Sequence, residues 1–175
     1  RRSARGRSGG RAFAPVIVPD LNLLIYAYDA DASRHASARA VWEECLNGEE
    51  LVGIAWVTIL GFMRLATHPT LQTRPLPVSA ATAIVRSWLA RPNVEALEAG
   101  AKHAERLLGL LERIGTGGNL TSDAHLAAIA IEHGATLYST DADFARFPGL
   151  SWTDPLRPVG DQGGPARSKR PRRLR

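Results

Sequence analysis

Three β-branched residues, Val16-Ile17-Val18, run into Pro19 and are followed at once by a carboxylate, Asp20, and a helical pattern. Val and Ile suit a buried strand, and proline cannot donate to a sheet ladder, so the strand is expected to stop there. Asp20 is thereby expected at the carboxyl end of a strand, where open parallel α/β sheets hold their ligands. Two later stretches bring carboxylates to the same rim, Asn119-Leu120-Thr121-Ser122-Asp123-Ala124-His125 and Ser139-Thr140-Asp141-Ala142-Asp143-Phe144.

The pattern between these stretches alternates. Apolar spacing predicts helices over 21–28 and over 34–46, the latter closed by Gly48, then a strand over 51–54. An apolar helix over 56–66 stops before Pro69, and the Pro-punctuated stretch 67–77 has the length of a substrate or partner flap. A helix capped by Ser79 runs to about residue 90, a short strand covers 94–97 and a leucine-striped helix covers 101–114. Beyond the loop Gly115-Thr116-Gly117-Gly118, Thr121 or Ser122 is expected to cap a helix over 123–133 that ends at Gly134. A strand over 136–140 then delivers Asp141. Strand and helix in alternation give an α/β fold with a central parallel sheet and helices on both faces.

With 175 residues and 45% apolar content, the chain has room for one domain with a real core. The net charge of +5 suggests a nucleic-acid binder until it is placed along the chain. Residues 1–14 hold five arginines, and 157–175 hold seven Lys or Arg against Asp161. The ends together carry about +11, which leaves the body near −6. The folded domain therefore does not attract RNA by its overall field, and attraction has to be local. The expected organisation is a disordered basic segment over 1–14, a domain over 15–156 and a disordered basic tail over 157–175 that can add salt-sensitive affinity for phosphates. Cys45 is the single cysteine, so no internal disulfide forms. No stretch approaches the roughly 20 apolar residues of a membrane helix, and the first ten residues lack a signal-peptide core. A cytoplasmic location and no membrane partner are the expectation.

A Mg²⁺ ion, or Mn²⁺ in its place, is hard and prefers carboxylate and water oxygens. Any one aspartate here has a plain reading as a turn or cap residue. Three carboxylates converging on one rim repel one another unless a cation joins them. Asp123 in the first turn of a helix sits where the helix dipole favours the charged form that a ligand needs.

The stretches beginning Asp20-Leu21-Asn22-Leu23-Leu24-Ile25-Tyr26-Ala27, Gly118-Asn119-Leu120-Thr121-Ser122-Asp123 and Ser139-Thr140-Asp141-Ala142-Asp143-Phe144 resemble the three acidic motifs of the PIN domain. More narrowly, the chain from about residue 16 to 156 resembles the VapC-type toxins of toxin-antitoxin pairs. The resemblance implies a three-layer α/β/α sandwich, Mg²⁺-dependent cleavage of RNA, a cognate antitoxin that obstructs the site, and toxin homodimers. Carried onto this chain, it implies Asp20, Asp123 and Asp141 as metal ligands and Asp143 as a further acidic group that accepts a proton or positions water. Asn22 and Thr140 would orient carboxylates or water. Arg64 and Arg146 are the body's candidates for phosphate contacts.

The chain departs from the family at one place. Where a Glu is usual on the helix after the second strand, three residues before an Arg, this chain has Gly61 ahead of Arg64. Glu43, Glu44, Glu49 or Glu50 could substitute only if the fold brought them to the rim. The missing acid keeps a second reading open, a catalytically silent PIN-like module that binds RNA or protein. His125 lies two residues after Asp123 and points away from it on a helix. The four tryptophans fall in apolar contexts suited to a core or an interface. A receiver domain is disfavoured, since neither Lys102 nor Lys169 follows a strand, and no Gly-rich turn follows the first strand to suit a dinucleotide.

Overall fold

The computed structural model describes residues 16–118 and 120–157; the basic segment 1–14, the tail beyond Arg157 and Asn119 lie outside them. Five short parallel strands form one sheet in the order β3-β2-β1-β4-β5. They are β1 Val16–Pro19, β2 Leu51–Ala55, β3 Val94–Leu97, β4 Thr136–Tyr138 and β5 Ser151–Thr153. From β1 the chain moves outward to β2 and β3, then returns to pair β4 on the other side of β1. The strand order thus reverses between β1 and β4. Open parallel sheets bind their ligands at such a reversal, outside the carboxyl ends of the strands, and Asp20 and Asp141 follow those two strands.

On one face lie α1 Leu21–Tyr28, α2 His35–Asn47, α3 Trp56–Ala66 and α4 Val78–Leu89, packed on Ile17, Val52, Ile54 and Val94. On the other lie α5 His103–Ile114, α6 Leu120–Glu132 and a 3₁₀ turn over Ala142–Arg146, packed on Val18, Leu97 and Leu137. This is the α/β/α sandwich expected. Alternation along β1 divides the two cores, with Ile17 in the first and Val18 in the second.

The first core is aromatic at its centre. Trp88 is fully buried, with ring centroids 4.7 Å from Phe62 and 5.5 Å from Tyr28 and Trp42. Its Nε1 donates to the Tyr28 hydroxyl at 2.8 Å, so the polar edge of the indole is satisfied inside the core.

Three local expectations change. Helix α6 begins at Leu120, so Thr121 and Ser122 lie inside its first turn rather than at its cap. Helix α4 begins at Val78 behind Pro77 with no side-chain cap, so Ser79 is likewise a first-turn residue. The 67–77 loop is tied down away from the acidic rim: Arg74 Nη2 bonds Asp31 Oδ1 at 2.9 Å, and Leu76 N–H donates to the Ala66 carbonyl at 2.8 Å. Gly134 closes α6 as expected, at φ +60° where any side chain is strained.

Candidate active site

Asp20 is both a helix cap and the centre of the rim. It is only 6% exposed. Its Oδ1 accepts the Leu21 N–H at 2.7 Å and starts α1, while its Oδ2 accepts the Ser139 hydroxyl at 2.7 Å. The Ser139 Oγ in turn accepts the Asp141 N–H at 3.0 Å, and Asp141 Oδ1 accepts the Asp143 N–H at 2.8 Å. One unbroken chain of hydrogen bonds therefore links three of the four aspartates.

Ser139 is held on every side. Its N–H donates to the Thr153 carbonyl at 3.1 Å, its carbonyl accepts Trp152 Nε1 at 3.0 Å, and its side chain is wholly buried. Thr140 was the hydroxyl expected to orient carboxylates. Among the described residues its side chain makes no hydrogen bond, and Ser139 does that work. Asn22 contributes its backbone, since its amide and that of Leu21 both favour the Asp20 carboxylate. Strand alternation was the available signal: Val18 and Leu137 share one core, so two residues further on Asp20 and Ser139 leave the sheet on that same side.

The electrostatics show that the carboxylates share one environment. Asp123 is pushed up to about 6 by burial and then by the charges of Asp20, Asp141 and Asp143. The helix dipole at the start of α6 acts in the opposite sense, and here it is outweighed. Asp20 is raised as well, by burial first, against the hydrogen bonds that favour its ionised form and with the charge of Asp141 adding to the rise. Asp143 is exposed and faces Arg146, with Oδ1 3.6 Å from Nη1. Arg146 also reaches Thr116 Oγ1 at 3.4 Å. Arg64 is exposed and has no ion-pair partner among the described residues.

Gly61 has a structural explanation. A Cβ there would come within 2.7 Å of a Leu21 methyl, so the space of the expected acid is filled by the residue that follows Asp20. Thr58 Oγ1, one turn earlier on α3, reaches the Pro19 carbonyl at 3.5 Å and ties the helix to the end of β1. No glutamate takes the place of the missing one. Glu43 pairs with Arg39 at 2.8 Å, and Glu44, Glu49 and Glu50 line a groove elsewhere.

The donor set suits a hard divalent cation, being carboxylate oxygens whose charges disfavour one another when alone. Asp20, Asp123 and Asp141 are the residues that would hold it. Among the described residues no three His, Cys, Asp or Glu side chains already stand as a ready coordination sphere.

His125 bonds His103, Nδ1 to Nε2 at 2.7 Å, and His103 Nδ1 lies 3.4 Å from Glu132 Oε2, which places it in an α5–α6 contact as expected. Trp42 and Trp88 are core, and Trp152 braces Ser139. Trp56 is 47% exposed and Leu60, one turn on, 63%.

The PIN domain family matches residues 17–150. The chain belongs to this family. Among curated relatives, Ribonuclease VapC33 of Mycobacterium tuberculosis is 46% identical over 142 residues, 81% of this chain and 99% of the relative. Ribonuclease VapC37 of the same organism is 43% identical over 79% of this chain and 96% of its own length. Among solved structures, Mycobacterium tuberculosis VapC20, described as a sarcin-ricin loop cleaving toxin, matches 77% of this chain and 98% of its own at a TM-score of 0.58 and 19% identity. The DNA-bound VapBC of Salmonella typhimurium matches 81% and 98% at a TM-score of 0.59 and 18% identity. At those identities the structures speak for the PIN fold alone. No helix among the described residues is long and apolar enough to cross a membrane.

The rim carries its own prediction. Ser139→Ala removes the bridge between Asp20 and the Asp141 backbone, and loss of such a supporting hydroxyl is expected to weaken Mn²⁺ affinity by about 10–100-fold. Calorimetric titration of wild type and variant measures it. Ser139→Thr, which keeps the hydroxyl, should retain most of the affinity.

Proposed function

We propose that this PIN protein is a metal-dependent endoribonuclease acting as the toxin of a toxin-antitoxin pair. The observation that carries the reading is the grouping of Asp20, Asp123, Asp141 and Asp143 at the point where the strand order reverses, with Asp123 pushed up to about 6 by the others and by burial. The VapC relatives, called ribonucleases and matched nearly end to end, support the chemistry and the toxin role.

In this reading Asp20, Asp123 and Asp141 hold Mg²⁺, with Mn²⁺ as a substitute. Such an ion supplies charge neutralisation at a phosphodiester and a water of lowered pKa. The chain's own residues do the rest. Ser139 keeps Asp20 and the Asp141 backbone in fixed relation, and Asp143, exposed beside the rim, accepts a proton from the attacking water at its carboxylate. Arg146, beside Asp143, binds a phosphate next to the scissile bond, and Arg64, exposed on α3, contacts a phosphate further along the RNA. For Arg146 this means leaving Asp143, a pairing that is exposed and hence weak. With Gly61 in place of an acid, three carboxylates rather than four hold the metal, which favours a single ion. The antitoxin reading is supported by neighbours solved as VapBC complexes. A homodimer is supported by the exposed Trp56 and Leu60 on α3.

The test is Mn²⁺ titration across pH. Protons compete for the same oxygens, so affinity should be full near pH 8 and fall about tenfold per unit below the value near 6 at which Asp123 titrates. The sign for the metal-free fold is the reverse. A carboxylate raised in the folded state stabilises the protein fully below its ordinary range, and that stability is lost as pH rises through about 6. Binding that is flat between pH 5 and 8, or unchanged in Asp123→Asn, would remove the rim as the metal site.

A further inference from the structure

A groove of about 550 Å³ runs along the α1–α4 face, where β4 and β5 extend past α2. Tyr138, Thr153 and Cys45 line it, and Glu44, Glu49 and Glu50 rim it. Among the described residues none of these three glutamates takes part in an ion pair, unlike Glu43 and Glu132. Of the basic groups around it, Arg91 bonds Asn47 Oδ1 at 3.0 Å and Arg157 lies 3.4 Å from Asp154 Oδ2, so neither answers these glutamates. The negative field is felt inside the groove. The Cys45 thiol is raised to about 11 by burial and then by Glu44 and Glu50, and the Tyr138 hydroxyl is raised by burial, Cys45 and the same two glutamates.

Such a surface repels a phosphate chain and suits a basic peptide. We infer that its occupant is the C-terminal segment 158–175 of this same chain. Three observations select it. Pro155 lines the groove and Arg157 is two residues further, so the segment begins where the groove lies. The segment carries Arg167, Lys169, Arg170, Arg172, Arg173 and Arg175 against Asp161 alone. Nine residues, 158–166, reach about 30 Å when extended, ample to lead the first of these cations along a groove only a strand or so in length. The match to VapC33 takes 99% of that relative but 81% of this chain, so about a fifth of this chain lies beyond the likeness.

Docking holds the polycation on the acidic body and away from RNA. Tethering raises the local concentration of the segment, so several weak, screened ion pairs suffice. The tail therefore competes with itself: bound to the groove, it is withheld from phosphates, and RNA must displace the glutamates to recruit it.

Lysine placement makes the inference testable, since Lys102 and Lys169 are the only lysines and Lys102 lies just ahead of α5 on the other face. The full-length chain is treated with a carbodiimide, which joins an ammonium directly to a carboxylate in contact with it, and the products are mapped by mass spectrometry. The expected result is a link from Lys169 to Glu44, Glu49 or Glu50 within the monomer, its yield independent of protein concentration. That yield should drop by about tenfold between about 0.05 M and about 0.5 M salt, as screening shortens the reach of the charges. It should also vanish in the exposed-surface variant Glu44→Gln, Glu49→Gln, Glu50→Gln. Links from Lys169 only to other acids, no link at all, or links found only between two copies would each overturn the assignment.

Discussion

Asp20→Asn is expected to lower metal-dependent RNA cleavage by about 10²–10³-fold or more while leaving the fold intact. The two halves of this result have separate causes. Asparagine caps a helix as well as aspartate does, so its oxygen can still accept the Leu21 N–H that starts α1. The amide cannot supply a negative oxygen to a cation, and it turns a donor toward the Ser139 hydroxyl that Asp20 accepts at 2.7 Å. Ser139 can answer by rotating, since it is itself both donor and acceptor. Because Asp20 is buried, with its ionised form disfavoured by that burial, neutralising it should hold or raise the melting temperature of the metal-free protein. Cleavage kinetics and a thermal melt on the same preparation separate the two. A variant that melts far lower would mean the residue serves the fold first.

Trp88→Ala is expected to cost about 3–5 kcal/mol of stability, the range for deleting a fully buried large aromatic. The indole sits among Phe62, Tyr28 and Trp42, and its removal also strips the Tyr28 hydroxyl of the Nε1 donor at 2.8 Å. In a chain of this length that is a fall of roughly 10 °C in melting temperature. Trp88 is in α4, across α1 from the rim, so Mn²⁺ affinity measured well below the melt should be close to wild type. Trp88→Phe, which keeps most of the ring contact but not the donor, should recover more than half of the loss. Chemical denaturation checks both.

The parts of this fold that sequence reasoning reached are those where one residue type has one physical meaning. Pro19 after Val16-Ile17-Val18 could only end a strand, Gly134 had to take the left-handed turn, and an Asp after each of two inner strands had to stand at the crevice. The parts it did not reach depend on tertiary context. Strand β5, Ser151–Thr153, is three residues long and half exposed, too short to show a period; it exists because Leu137 and Trp152 pair across it. Thr140 came from the resemblance to the PIN motifs, while strand alternation puts the bonding hydroxyl at Ser139. The capping assigned to Thr121 and Ser122 failed because the polar pair looks like a helix start, while burial of Leu120 pulls the first turn forward. That Gly61 is closed off by Leu21 could not be read from either residue alone.

A glutamate at position 61 would require the Leu21 side chain to swing aside, while the Leu21 N–H that binds Asp20 is not in its way. Asp20, Asp123 and Asp141, with Asp143, form the acidic rim among the described residues.

Cleavage of a mixed pool of structured RNA by the purified protein tests the central claim most directly, run with Mg²⁺ or Mn²⁺, with a chelator, and with Asp123→Asn. Cutting that needs the metal, stops with the chelator and is lost in the variant is the result predicted. RNA left intact with metal present, by a protein that also fails to bind Mn²⁺ in titration, would contradict it and make this chain a PIN domain that binds without cutting.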